Sequence, residues 1–212
     1  MTSAAFLLLA MTFAVAMTDW IAVARGWQVA EYVAKPLTMV MLIGVALSLN
    51  VTSDAVRGAF VVALVLSLVG DVFLMLPDER WFVFGLGAFL AGHVAYIVGL
   101  LMSGVALPAL AVGVAVVALG VLVIGIRVLT AVRGGDEPEM AVPVGAYIAV
   151  ISLMVVCAIG TRNPFAIAGA LLFYSSDALI AWNRFVRRHG WGDVVVMITY
   201  HLGQIGLVLS LI

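Results

Sequence analysis

Two aspartates and two histidines, Asp71, His93, Asp177 and His201, stand inside long apolar runs of the sequence. An ionisable side chain at membrane depth costs of the order of several kcal/mol, so it marks a functional site by default. Asp71 follows Gly70 in Ser67-Leu-Val-Gly-Asp-Val-Phe-Leu-Met75, and Asp177 closes Phe173-Tyr-Ser-Ser-Asp. The glycine lets a helix or ligand come close to the backbone. The hydroxyls of Ser175 and Ser176 can hydrogen-bond a carboxylate or a water. Two carboxylates at one depth would repel if both were ionised, and such pairs tend to share a proton. His93 and His201 each have a polar group three residues on, Tyr96 and Gln204, on the same helical face. Histidines so placed suit the orientation of water or the relay of protons. The plainer reading of all four is that they satisfy neighbouring helices. Two Asp and two His could also hold a divalent metal, but no HExxH or other ligand spacing marks a site, so no metal is expected.

The elements that must position these groups are membrane helices. The chain is 66% hydrophobic and 10% charged, against about half and a quarter in soluble domains, which predicts an all-α polytopic membrane protein. The net charge of -1 and the lack of a basic run give no reason to expect nucleic acid as a partner. Cys157, the single cysteine, excludes a disulfide scaffold. There is no Gly-Xaa-Ser-Xaa-Gly elbow, P-loop or dinucleotide fingerprint, which argues against a serine hydrolase. No Lys or Arg precedes the first apolar run, so it reads as a retained span and not a secretory signal.

A crossing needs about 20 mainly apolar residues. Eight runs qualify: 4–24, 35–51, 57–76, 81–102, 106–127, 142–160, 164–183 and 193–211. Trp20, Trp27, Trp81, Trp182 and Trp191 fall near predicted ends, as interfacial anchors. The connections after runs 1, 3, 5 and 7 hold Arg25, Lys35, Arg80, Arg127, Arg133, Arg184, Arg187 and Arg188, against Arg57 and Arg162 on the other side. Eight against two puts the first group in the cytoplasm and both termini outside. At about 1.5 Å per residue, the four polar groups then lie between the cytoplasmic interface and the midplane. Pro36 and Pro143, Asp71 and Asp177, and His93 and His201 are separated by 107, 106 and 108 residues. Such spacing suggests two parallel four-helix repeats, with sites near a pseudo-twofold axis.

Lys35-Pro36 is expected to open the second helix, with proline in its first turn and lysine at the interface, as a snorkelling anchor or a partner for a lipid phosphate. Asn183, Arg184 and the Arg187-Arg188 pair read most simply as polar residues that set topology. Asp19, Asn50 and Tyr147 are borderline. Phe73, Met75, Phe89 and Phe173 suit ordinary packing or the walls of an acyl-chain pocket.

At these residues the chain resembles the YhhN-type lysoplasmalogenase family. The resemblance rests on Ser67 to Met75, Phe84-Gly85 through Gly92-His93-Val-Ala-Tyr96, and Gly169 through Phe173-Tyr-Ser-Ser176-Asp177, with Lys35-Pro36-Leu37 and the Tyr200/Gln204 pair. It implies hydrolysis of the vinyl-ether bond of lysoplasmalogens to a fatty aldehyde and a glycerophospho-headgroup. The expected partners are then a lysophospholipid substrate and membrane lipids, with no cofactor, in a bacterial cytoplasmic membrane.

The residues fit that chemistry. A vinyl ether hydrolyses when an acid protonates its β-carbon and water captures the oxocarbenium ion. That calls for a carboxylic acid that keeps its proton near neutral pH and a second carboxylate, as glycoside hydrolases use. Asp71 and Asp177 are the expected pair, with His93 and His201 as relays. Lys35, Tyr96, Ser176, Asn183, Tyr200 and Gln204 are the candidate substrate-binding side chains. A proton-coupled transporter would also use intramembrane Asp and His, and a structural lipid-binding protein would use them as glue between helices.

Overall fold

The computed structural model describes residues 2–212. Among them the chain forms eight long helices and no strand: α1 (Ser3–Arg25), α2 (Gln28–Ser48), α3 (Asp54–Met75), α4 (Arg80–Met102), α5 (Leu107–Gly134), α6 (Ala141–Thr161), α7 (Pro164–Phe185) and α8 (Gly192–Leu209). Each is long and apolar enough to cross a bilayer, and the chain is an integral membrane protein. Local sequence sets the ends. Ser53 caps α3, Asn163 caps α7 ahead of Pro164, and Gly26 closes α1 in the left-handed region at φ 67°. Such caps satisfy amide and carbonyl groups that a helix terminus leaves free.

Two predicted boundaries are corrected. Helix α2 begins at Gln28, so Lys35 and Pro36 stand well inside it. Proline there removes one backbone bond, a loss that membrane helices tolerate where neighbours re-satisfy the backbone. Helix α5 runs on to Gly134, because its Arg127-to-Gly134 end stays helical beyond its apolar part. Within α5, Val121–Gly125 forms one wide π turn.

The connections that carry Arg25, Arg80, Arg184, Arg187 and Arg188 gather at one end of the bundle, here the basic end. Helix α4 packs on α3 through Gly85, Gly92 and Gly99, seven residues apart. A Cβ at Gly85 would lie 2.7 Å from Leu74, one at Gly92 3.2 Å from the Ala63 carbonyl and one at Gly99 2.6 Å from Phe60. Helix α7 meets α8 backbone to backbone at Gly169, Gly203 and Gly206. These seams fix the rotation of the helices that carry Asp71, His93, Asp177 and Tyr200. The pairs α1–α2 and α3–α4 recur as α5–α6 and α7–α8, and α4–α6 is matched by α2–α8. The α1–α8 contact has no comparable α5–α4 counterpart.

The α7–α8 seam is testable. A Cβ at Gly169 would stand 2.6 Å from the Leu207 amide, whereas one at Gly58 meets nothing within 4 Å. Gly169→Ala should destabilise the detergent-solubilised protein by about 1–3 kcal/mol, and Gly58→Ala should be neutral or slightly stabilising. Thermal unfolding reads both. Equal melting of the two variants would show that close backbone approach does not hold this seam.

Candidate active site

Helix α8 runs through the middle of the bundle; half of its span is buried, the largest share among the eight described spans. Its Tyr200 hydroxyl donates to Asp71 Oδ2 at 2.6 Å, and Asp71 is 2% exposed. Hydrocarbon offers no water, so a carboxylate at that depth depends on a protein donor. Lys35 is buried at 6% exposure, and its ammonium lies within electrostatic reach of Asp71, Asp19 and His201. One turn along α8, Gln204 accepts from the Tyr96 hydroxyl of α4 at 2.5 Å.

The second carboxylate sits across an aromatic partition. Tyr147 on α6 donates to Asp177 Oδ2 at 2.5 Å, and His93 Nε2 lies 3.6 Å from the same oxygen. His93 Nδ1 is 2.6 Å from the Phe89 carbonyl. A carbonyl only accepts, so Nδ1 carries a proton, and Nε2 faces Asp177. Nε2 has no hydrogen-bond partner in the protein. Phe173 lies 4.7 Å from the His93 ring and 5.3 Å from Tyr200, with Phe89 5.8 Å from Tyr200. Asp71 nonetheless stays within coulombic range of Asp177.

An apolar pocket leads to this second carboxylate. Its lining extends from Phe82 of α4 and Phe185 of α7, near the basic end, past Leu74 of α3 and the inner faces of α5 and α6 to Asp177, Tyr147 and Ile151. The π turn of α5 supplies Ile124 and Gly125 to its wall. π turns recur at functional sites because they widen a helix locally. Asp177, Tyr147 and Tyr174 bring polar groups to a lining that is otherwise apolar, an arrangement typical of ligand pockets.

Of the expected site residues, the fold thus brings together Asp71, Tyr200 and Lys35, then Asp177 and His93, and joins Tyr96 to Gln204. His201 belongs to a third cluster. Its Nδ1 accepts from the Trp20 indole at 3.1 Å and lies 3.9 Å from Asp19 Oδ2. Ser176 donates to the Val196 carbonyl at 3.1 Å and ties α7 to α8. Asn183 takes the His189 amide at 3.4 Å and packs on Gly192, within the α7–α8 turn. Lys35 is no interfacial anchor, because α2 starts two turns earlier than expected. Trp20 likewise turns inward to a histidine.

Tyr147 and Asp19, borderline in the sequence, stand beside the expected residues. Asp19 is fully buried, and neither of its oxygens has a protein partner. Its place near the end of an apolar run hid its depth. Tyr147 had only its polar oxygen in an apolar helix as a signal.

The family model described as the YhhN family matches residues 30–211, which takes in every cluster above except Asp19 and Trp20. A relative from Mycobacterium tuberculosis named "Lysoplasmalogenase" is 39% identical over 134 residues, covering 61% of this chain and 51% of the relative. The human "Lysoplasmalogenase TMEM86B" is 32% identical over 157 residues, covering 70% and 61%. The aligned part of the chain thus spans about half to three fifths of the curated relatives it matches. No solved structure matches it.

Tyr200→Phe should strand the buried Asp71 carboxyl and cost about 1–3 kcal/mol. A double-mutant cycle with Asp71→Asn, read by thermal unfolding, should give a coupling of about 0.5–3 kcal/mol. Additive effects would mean that the 2.6 Å bond contributes nothing to stability.

Proposed function

The chain belongs to the YhhN family, and we propose that it is a membrane-embedded hydrolase that cleaves the vinyl-ether bond of lysoplasmalogen-like lysophospholipids. The names of its relatives supply the substrate class. The observation that carries the reading is Asp177. It stands at the inner part of an apolar pocket, under a tyrosine hydroxyl and beside an unpartnered imidazole nitrogen. An alkyl chain fits such a lining, and a carboxyl with two potential proton carriers can do acid chemistry on it.

In the reaction the Asp177 carboxyl gives its proton to the β-carbon of the alkenyl chain, and the electron pair of the double bond forms the new C–H bond. Positive charge collects on the α-carbon and the ether oxygen. Water adds to the α-carbon and returns a proton to the Asp177 carboxylate, with His93 Nε2 in place to orient the water or relay the proton. The hemiacetal then moves its hydroxyl proton to the glycerol oxygen. The carbon–oxygen bond breaks, and a fatty aldehyde and a glycerophospho-alcohol leave. Asp71, sealed behind the aromatic partition, stabilises the cation through its field. Tyr200 holds that carboxylate in place, and Lys35 balances the charge of Asp71 and Asp19 where a phosphate had been expected to meet it. The basic end faces the cytoplasm under the bias of the arginines.

Aldehyde release from a defined lysoplasmalogen by purified protein in detergent tests this. Asp177→Asn should lower the rate at least about 100-fold, Asp71→Asn should lower it strongly, and Tyr147→Phe should do so more mildly, each with the fold retained by thermal unfolding. Full activity in the two aspartate variants would sink the two-carboxylate mechanism. A well-folded wild type that releases no aldehyde would sink the substrate.

A further inference from the structure

At the basic end of the pocket, Arg184 of α7 holds Glu137, which lies between α5 and α6. Its Nη2 donates to both carboxylate oxygens, at 2.8 and 3.0 Å. The guanidinium lies over the Phe82 ring, 4.0 Å from its centroid, and 5.5 Å from that of Phe185. Both rings line the pocket near its basic end. Arg80 and Arg188 at the same end are engaged elsewhere, with Asp78 and Trp81 and with Asp193. Arg184 is thus a cation stacked on two rings of the pocket wall.

Its register is informative. Arg184 lies seven residues beyond Asp177, two helical turns and about 10 Å along α7 at 1.5 Å per residue, on the same face. Ala181, between them on that face, lines the pocket with a small side chain. In a single-chain glycerophospholipid with an alkenyl ether, about seven bonds separate the phosphorus from the β-carbon, or about 8–9 Å at the advance per bond of an extended chain. The two lengths are of the same order.

We infer that Arg184 is the phosphate-binding residue of this pocket, that Glu137 occupies it at rest, and that the headgroup phosphate of a single-chain lipid displaces Glu137 while its chain enters toward Asp177. Arginine suits the role because its planar fork matches phosphate oxygens and stacks on aromatic rings. The pair is 27% and 34% exposed, and ion pairs at such exposure are weak, so the exchange is readily reversible. Glu137 also rejects unphosphorylated amphiphiles, which offer the arginine nothing in return. The assignment deepens the hydrolase reading and rests on it for the position of the reacting bond.

Binding tests it apart from catalysis, with the purified full chain in a non-ionic detergent. The probes are a saturated 1-O-alkyl lysophosphocholine, which has no vinyl ether to cleave, the matching 1-O-alkylglycerol and inorganic phosphate. Wild type should bind the phospholipid about ten-fold or more tighter than the alkylglycerol. Arg184→Gln should erase that preference, Arg184→Lys should restore part of it, and Glu137→Gln should tighten phospholipid binding, a gain that misfolding cannot mimic. A preference unchanged in Arg184→Gln, or Glu137→Gln that weakens binding, would overturn the assignment. Displacement of the lipid by inorganic phosphate at matched concentration would overturn a lipid headgroup as the source. If this binding pattern holds while the alkenyl lipid is not hydrolysed, the catalytic reading fails and the phosphate site stands.

Discussion

A carboxyl group inside a bilayer has no solvent to turn to, and the arrangement of this bundle follows in large part from how two of its buried carboxyls, Asp71 and Asp177, are answered. Asp71 is met by Tyr200 and Asp177 by Tyr147, each through a short bond from a phenol on another helix. Each bond spans two transmembrane segments, so the carboxyls help to specify which helices are neighbours. Helix α8 gains most from this. Through Tyr200, Gln204 and His201 it is bonded to α3, α4 and α1, and it receives Ser176 of α7 on its backbone. Without a hydrophobic force to draw helices together in lipid, packing and polar bonds of this kind decide the assembly.

The same two carboxyls are not equivalent. Asp71 is closed in by Tyr200, with a lysine charge nearby, while Asp177 opens on an apolar pocket and faces an imidazole nitrogen. That asymmetry divides labour in the proposed reaction: one group touches the substrate and the other acts through its field. The aromatic wall of Phe89, Phe173 and Tyr200 keeps them separate yet close enough to sense each other.

Packing is tight where precision is needed and loose elsewhere. Glycine seams hold α3 on α4 and α7 on α8 and so fix the four helices that present the acids, His93 and Tyr200. Helix α5 is the counterpart, with 11% of its span buried and a π turn at the pocket wall. A wall held so lightly suits the lipid substrate proposed for this site. Helix α1, outside the family match, adds Asp19 and Trp20 to His201 and seals one flank of α8.

The amino-acid sequence by itself determined the eight spans, because about 20 apolar residues in a row have few other fates in water or lipid. It also determined that Asp71, His93 and Asp177 are costly enough to matter, and the short motifs around them pointed to the family. Hydropathy reports depth but not azimuth. Which donor meets which carboxyl depends on helix rotations set by Gly92, Gly169 and Gly203, and so only the tertiary structure joined Tyr200 to Asp71 across 129 positions. For the same reason Tyr147 stayed a borderline residue until α6 came to lie beside α7, and Trp20 read as an anchor until α1 met α8. Lys35 was misjudged because a proline was taken to start its helix, whereas contacts with neighbouring helices let α2 continue through it. Arg184 read as a topological charge, and only the fold set it over Phe82, two turns above Asp177.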